Sequence, residues 1–198
     1  RGEKFDYNKY KDLVLSSNKV LAIGEIGLDY YYLPKSKTQR QLAKEKQKQC
    51  LTEQLKLAKE LKLPVIFHCR LAHQDLINLL KENPALKPVR AVAHGFVGAL
   101  EDLNVYLELG FYIGFNGIIF KKIQGIDFKA IVKLTPPERI LLETDCPYLT
   151  PPQEGQKRNE PMFITHIAQL VAELKGIALE KLIEISTDNA CKLFGLNL

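Results

Sequence analysis

The chain of 198 residues contains no uninterrupted apolar run of about 18 residues, the length that a membrane-spanning helix requires. Its first residues read RGEKFDYNKYKD and are mostly polar or charged, unlike the apolar stretch of a secretory signal. The sequence therefore predicts neither a membrane span nor a secretory signal, and we expect a protein that does not associate with a membrane.

Paired cysteines are also missing. The four cysteines stand far apart and form no Cys-x-x-Cys motif; they are Cys50, Cys69, Cys146 and Cys191. This spacing argues against a structural zinc site built from cysteine pairs and favours free thiols in a reducing compartment. We therefore expect a cytoplasmic protein.

The composition is that of an ordinary globular protein, with 46% hydrophobic and 26% charged residues and a formal net charge of +5. A chain of this length can bury one core, so we expect a single domain spanning 1–198. Basic residues crowd the segment 35–62. They fit the solvated face of a long helix, and they also fit a surface that attracts phosphate groups.

Strand-like and helix-like segments alternate along the chain. Strands are predicted at 19–25, 65–68, 89–94, 111–115 and 139–143, and helices at 7–17, 38–61, 72–82, 98–109, 127–133, 162–174 and 179–194. This alternation predicts an α/β protein with a parallel sheet. A closed TIM-type (β/α)8 barrel has eight strands. We therefore expect either an open sheet or the last five βα units of such a barrel, followed by C-terminal helices.

The beginning of the chain bears on this expectation. The sequence opens at Arg1 rather than at a methionine, and its first predicted element is a helix. A processed, trimmed or incomplete chain would explain both features, and an incomplete barrel would lack about three βα units at its front.

Four of the predicted strands lead into a potential metal ligand at the same end. These ligands are Glu25, His68, His94 and Asp145. The C-terminal ends of the strands in a (β/α) barrel converge on one mouth, where active sites are built. We therefore expect the four side chains to meet although they lie far apart in the sequence.

Imidazole and carboxylate groups are the usual protein ligands of zinc and of other divalent ions. One histidine at the end of an apolar strand is more often a hydrogen-bonded core residue. Two such histidines together with two acids are harder to explain structurally, because buried carboxylates need compensation. The pattern predicts a hydrolase dependent on divalent metal, with Glu143 as a further acid on the same face as Asp145.

Two arginines are candidates for binding substrate. Arg70 follows His68 by two positions and could hold a phosphate group, or could pair with a neighbouring acid. Arg158 lies on the loop after the last strand, where substrate contacts are common. The neighbouring Asn159 could contact substrate or cap the following helix.

Several motifs in this order resemble the TatD family of metal-dependent deoxyribonucleases, which are TIM barrels of the amidohydrolase type. The matching segments are GEIGLD at 24–29, LPVIFHCR at 63–70, HGFVG at 94–98, ETDCPYL at 143–149 and RNEP at 158–161. The resemblance covers essentially the whole chain.

The resemblance implies that Glu25, His68, His94 and Asp145 are metal ligands, with Glu25 shared between two ions. His68 and His94 would bind one ion, and Asp145 would bind the other and orient or deprotonate the attacking water. The implied cofactors are up to two divalent ions such as Mg, Zn or Mn. The family's N-terminal His-x-His pair, which supplies two ligands to the second ion, is missing from this sequence.

By the same resemblance, the expected activity is hydrolysis of phosphodiester bonds in DNA by a metal-activated water, from the 3′ end and on single strands. Two alternatives stay open. The same barrel could hydrolyse small esters, amides or lactones. The chain could also be an inactive, truncated metal-binding form, whose exposed strand edges another chain could pair with.

Overall fold

The computed structural model describes residues 4–155 and 158–197. The chain divides into two compact units, Arg1–Ala91 and Val92–Leu198. Each unit contains parallel strands followed by helices, and the expectation of one domain over 1–198 stays a prediction.

The first unit is built around two parallel strands and a long helix. Its elements are α1 (Tyr7–Leu15), β1 (Ile23–Asp29), α2 (Lys37–Glu60), β2 (Val65–Arg70) and α3 (His73–Glu82), followed by a 3₁₀ turn at Pro84–Leu86. Strands β1 and β2 pair in parallel, with Gly27 opposite His68 and Asp29 opposite Arg70. Helix α2 packs on β1 and buries leucines and an alanine at helical spacing, among them Leu51, Leu55 and Ala58.

The second unit contains the remaining strands and the C-terminal helices. Its elements are β3 (Ala91–Ala93, which begins at the last residue of the first unit), α4 (Leu100–Glu108), β4 (Tyr112–Phe115), α5 (Phe128–Leu134), β5 (Ile140–Leu142), α6 (Ile164–Lys175) and α7 (Leu179–Phe194). Strand β4 pairs in parallel with β3 and with β5, and it is buried along its whole length. Helices α6 and α7 pack on each other and on β5.

The structure confirms the alternation of strands and helices and finds each predicted element within a few residues of its expected position. Strand β1 is the exception, because the sequence predicts it at 19–25 and the structure has it at Ile23–Asp29. The two glycines Gly24 and Gly27 suggest a turn after residue 25, since glycine is unfavourable in strands. The extended backbone instead continues through them, which places Asp29 at the end of the strand.

In the part of the chain that the structure describes, no single helix is long and apolar enough to cross a membrane. The segments Pro161–Lys175 and Leu179–Phe194 pass that test only together, as a pair bent by 108°.

Candidate functional site

In the first unit, His68 lies between two carboxylates. Its Nδ1 is 2.7 Å from Oε1 of Glu25, and its Nε2 is 3.2 Å from Oδ2 of Asp29. The two acids share one face of β1 because successive side chains of a strand alternate, while Ile26 and Leu28 are buried on the opposite face. The register of β1 with β2 therefore brings both acids to the imidazole.

Gly27 allows this close arrangement. It pairs with His68, and a Cβ atom at position 27 would lie 1.7 Å from the carbonyl oxygen of His68. Any side chain there would push β1 away from β2. Gly27 makes the strand hard to predict from the sequence, and its missing side chain allows Glu25 and Asp29 to approach His68.

The electrostatics of this cluster favour a charged imidazole in the absence of an ion. The hydrogen bond with Glu25 raises the pKa of His68, burial opposes this, and the Asp29 carboxylate raises it further. Two carboxylates next to one imidazole also form a donor set of nitrogen and oxygen atoms that suits a divalent ion.

Helix α2 fixes the position of Asp29 through a side chain. Gln47 accepts a hydrogen bond from the backbone N–H of Asp29 at 2.8 Å and donates another to its carbonyl oxygen, also at 2.8 Å. The second carboxylate oxygen of Asp29 accepts a hydrogen bond from the backbone N–H of Tyr31 at 2.8 Å. Both the backbone and the side chain of Asp29 are therefore held in place.

In the second unit, His94 likewise contacts two acids. Its Nδ1 is 2.5 Å from Oε2 of Glu143, and its Nε2 is 3.3 Å from Oδ1 of Asp145. His94 directly follows β3 and Glu143 directly follows β5, so the carboxyl ends of the strands position both groups. The backbone N–H of Glu143 donates to the Phe115 carbonyl at 3.0 Å, which continues the parallel pairing one residue beyond the strand.

Two glycines accommodate the Glu143 carboxylate. A Cβ atom at Gly114 would lie 2.3 Å from Oε1 of Glu143, so only glycine leaves room for it. Gly95 has a φ of +48° and donates its backbone N–H to the same Oε1. The carboxylate thus binds the backbone of residue 95 through one oxygen and the ring of His94 through the other.

Asp145 lies on a loop that a buried amide stabilises. Its φ is +61°, a left-handed conformation that aspartate tolerates better than most residues and that is common at functional sites. The Asn159 side chain, only 2% exposed, donates to the carbonyl oxygens of Thr144 and Tyr148. It therefore ties together the residues on both sides of Asp145.

The structure brings the predicted metal ligands together in two pairs. Glu25 contacts His68 in the first unit, and His94 contacts Asp145 in the second. Over residues 4–155 and 158–197, no group of three or more His, Cys, Asp or Glu side chains is already arranged to hold a metal ion. The histidine nitrogens lie at hydrogen-bond distance from carboxylate oxygens instead, so the assignment of ligands stays a prediction.

The two predicted substrate arginines are both exposed. The guanidinium carbon of Arg70 lies 3.6 Å from the centre of the Tyr31 ring, so this side chain stacks on an aromatic residue. Arg158 follows residues 156–157, which lie outside the described part of the chain. Both arginines are available to an anionic ligand.

Sequence reasoning assigned no role to Asp29. A strand from 19 to 25 places this residue in a turn, whereas the structure places it at the end of β1 on the face of Glu25. The spacing Glu25, Gly27, Asp29 contained the necessary signal, because alternate residues of a strand share one face.

Comparison with known proteins places the chain in a family. The model of TatD related DNases matches residues 1–195. An uncharacterized metal-dependent hydrolase of Bacillus subtilis, YabD, is 41% identical over 90% of this chain and 67% of its own length. The uncharacterized metal-dependent hydrolase YcfH of Escherichia coli K12 is 36% identical over 90% of this chain and 64% of its own length. A protein of Pantoea ananatis named 3′-5′ ssDNA/RNA exonuclease TatD is 40% identical over 89% of this chain and 66% of its own length.

The chain therefore spans about two thirds of the length of these curated relatives. A solved structure shares the fold: the TatD homolog YJJV of Escherichia coli K12 superposes with a TM-score of 0.83 at 29% identity, over 96% of this chain and 70% of that one. This similarity confirms the predicted α/β fold of the TIM-barrel type. The chain belongs to the family of TatD-related DNases, which includes proteins named as metal-dependent hydrolases.

Proposed function

We propose that this chain is a metal-dependent phosphodiesterase that shortens single-stranded DNA from its 3′ end. The observation that carries the proposal is the pair of strand-end histidines, each held between two carboxylates. Support for the substrate comes from relatives that are named 3′-5′ ssDNA/RNA exonuclease.

The donor chemistry of both clusters fits a divalent ion such as Mg, Zn or Mn. Glu25, His68, His94 and Asp145 are the proposed ligands, for up to two ions. When bound, such an ion polarises the phosphoryl oxygen and lowers the pKa of a water molecule. Each histidine must exchange a carboxylate contact for the ion, so binding requires a neutral ring.

The remaining roles are assigned to Asp145 itself and to three further residues, Glu143, Arg70 and Arg158. Asp145 is proposed as the general base that accepts a proton from water, since its Oδ1 lies 3.3 Å from His94 Nε2 and its backbone conformation is held by the loop. Glu143 orients His94 through Nδ1. Arg70 and Arg158 are proposed to contact phosphates of the DNA chain.

A second function is hydrolysis of small esters, amides or lactones by the same residues. It is favoured by the two relatives YabD and YcfH, whose names specify a metal-dependent hydrolase and no nucleic acid. The fold does not decide between these substrates.

The test is cleavage of a 5′-labelled single-stranded DNA oligonucleotide by the purified chain with Mg, Mn or Zn. We expect a ladder of shortened products that EDTA abolishes. His68→Ala and His94→Ala should remove the activity. His166→Ala is the matched control, because that histidine contacts Glu154 and belongs to neither cluster.

Intact DNA with all three metals, or unchanged cleavage by His68→Ala, would overturn the proposal. Hydrolysis of p-nitrophenyl acetate that depends on His68, without any cleavage of DNA, would establish the second function instead.

A further inference from the structure

A pocket of about 340 Å³ opens in the first unit, next to the end of β1. Its walls combine aromatic rings with basic side chains and two leucines; they are Tyr30, Tyr31, Leu33, Arg40, Lys44 and Leu71. None of these residues belongs to the histidine–carboxylate clusters, yet rings and cations together are what a nucleotide requires.

The charge of Lys44 is only partly compensated. Its Nζ lies 4.3 Å from the centre of the Tyr30 ring and 4.0 Å from the Asp75 carboxylate. That carboxylate is closer to Lys48, at 3.3 Å, and it also accepts a hydrogen bond of 2.6 Å from the Tyr30 hydroxyl. Asp75 is therefore engaged mainly by other groups, and the Lys44 ammonium remains available to an anion.

Arg40 adds a second cation at the rim. Its Nε donates to the Pro34 carbonyl oxygen at 3.2 Å, which fixes the guanidinium group without neutralising it. The side chain is exposed, and in the described part of the chain it forms no ion pair. A guanidinium held in this way can bind a phosphate through its terminal nitrogens.

Tyr31 provides an exposed aromatic surface. The residue is 52% exposed although the Arg70 guanidinium stacks on its ring at 3.6 Å. Tyr32, 82% exposed, meets it edge to face at 4.6 Å between ring centres. Exposed aromatic rings next to cations are the usual platform on which single-stranded bases stack.

The pocket adjoins the cluster of the first unit through the backbone. The N–H of Tyr31 donates to Oδ1 of Asp29, whose other oxygen contacts His68. The N–H of Tyr30 donates to the carbonyl oxygen of Arg70 at 2.9 Å. A nucleotide bound here would be a near neighbour of the phosphate at the histidine cluster.

We propose that this pocket binds one nucleotide of a single-stranded nucleic acid, with its phosphate on Arg40 and Lys44 and its base on Tyr31. The inference rests on the proposed function and deepens it. The pocket supplies affinity for the strand at a distance from the reacting bond, so it should act on binding of the strand more than on the chemical step.

The experiment measures binding of a fluorescein-labelled oligothymidylate to the chain in EDTA, by fluorescence anisotropy at several salt concentrations. For Arg40→Ala combined with Lys44→Ala we expect binding weaker by about tenfold or more at low salt. The slope of log affinity against log salt should fall by about 0.7, since the two cations share one phosphate and each neutralised phosphate of a single strand contributes about 0.7. Tyr31→Leu should weaken binding by about 5-fold to 100-fold at an almost unchanged salt slope.

The matched control is Lys46→Ala combined with Lys81→Ala, which removes the same charge from exposed positions outside the pocket. Equal weakening by the control pair and the pocket pair would overturn the subsite. An unchanged affinity of Tyr31→Leu for the oligothymidylate would also overturn it. The same holds if poly-glutamate competes as strongly as unlabelled oligothymidylate, or if the unaltered chain does not bind the probe.

The subsite and the proposed function can fail separately. Pocket-dependent binding in EDTA without cleavage after addition of metal would leave the subsite and overturn the nuclease. Cleavage that depends on His68, with binding unchanged by substitution of Arg40, Lys44 and Tyr31, would support the nuclease and overturn the subsite.

Discussion

His68 Nε2 and Asp29 Oδ2 lie 3.2 Å apart at the carboxyl ends of two parallel strands. Asp29 also contacts three neighbouring parts of the first unit. Gln47 of helix α2 binds its backbone, the N–H of Tyr31 at the pocket donates to one carboxylate oxygen, and His68 of β2 contacts the other. The orientation of the His68 ring therefore depends on how firmly Asp29 is held.

The first prediction concerns Asp29→Asn. The amide keeps the shape of the side chain and removes the charge that supports His68. His68 is a proposed metal ligand, and groups that orient such a ligand typically contribute 10-fold to 100-fold to metal affinity or activity, so we expect a loss of about that size. Titration of the cleavage rate with Mn measures it. Asp12→Asn, at an exposed site on α1, should change nothing, and equal rates for both variants would contradict the role of Asp29.

Gln47→Ala tests the clamp on Asp29 from helix α2. The substitution removes two hydrogen bonds to the backbone of a half-buried residue, so we expect a loss of about 1–3 kcal/mol in the free energy of unfolding. Cleavage should weaken as well, because Asp29 loses its fixed position. Urea unfolding measures the first effect. Gln49→Ala, on the exposed face of the same helix, is the control. If Gln47→Ala proved as stable as Gln49→Ala, the two hydrogen bonds of Gln47 would not contribute to the free energy of unfolding.

The sequence predicts that strand-end groups lie close together because parallel strands end at one edge, whatever the exact limits of each strand. The structure places Glu25 beside His68 and His94 beside Asp145. Their role as metal ligands stays a prediction. Asp29 could not be placed in the same way. Its role depends on the strand continuing through Gly27, and the sequence contains no direct sign of the contact between Gly27 and the His68 carbonyl.

The roles of Gln47 and Asn159 could not be predicted from the sequence, for a different reason. Gln47 contacts the backbone of Asp29 from 18 residues away, and Asn159 contacts the carbonyl oxygen of Thr144 from 15 residues away. Hydrogen bonds from a side chain to distant backbone groups have no periodicity. They are fixed by tertiary packing, which becomes visible only in the folded chain.

The third prediction concerns the loop that carries Asp145. Asn159→Ala leaves two carbonyl oxygens without a donor, so we expect about 1–3 kcal/mol of destabilisation. Asn159→Asp should cost more, because it directs a carboxylate at the same two oxygens. Urea unfolding and limited proteolysis between Thr144 and Tyr148 measure both effects. Asn104→Ala, at an exposed position of α4, is the control. If the Ala and Asp variants proved equally stable, the amide would not act as a donor here.

The fourth prediction concerns pH and the carboxylate beneath the pocket. Burial raises the pKa of Asp75, but the hydrogen bond from Tyr30 and the charge of Lys48 outweigh it and leave the pKa lowered. A carboxyl group whose pKa is lowered by folding stabilises the folded state fully above its unfolded pKa of about 3.9. This contribution is lost as the pH falls through the lower pKa of the folded state.

Asp75→Asn should therefore be less stable than the unaltered chain by about 1 kcal/mol at neutral pH, since it weakens a hydrogen bond and an ion pair that are partly exposed. The difference should shrink below about pH 4 and vanish once the carboxyl group is protonated in both states. Urea unfolding of both proteins across this range measures it, with Asp12→Asn as the control for a surface charge. A difference that stayed constant down to low pH would mean that Asp75 stabilises the fold through its shape rather than through its charge.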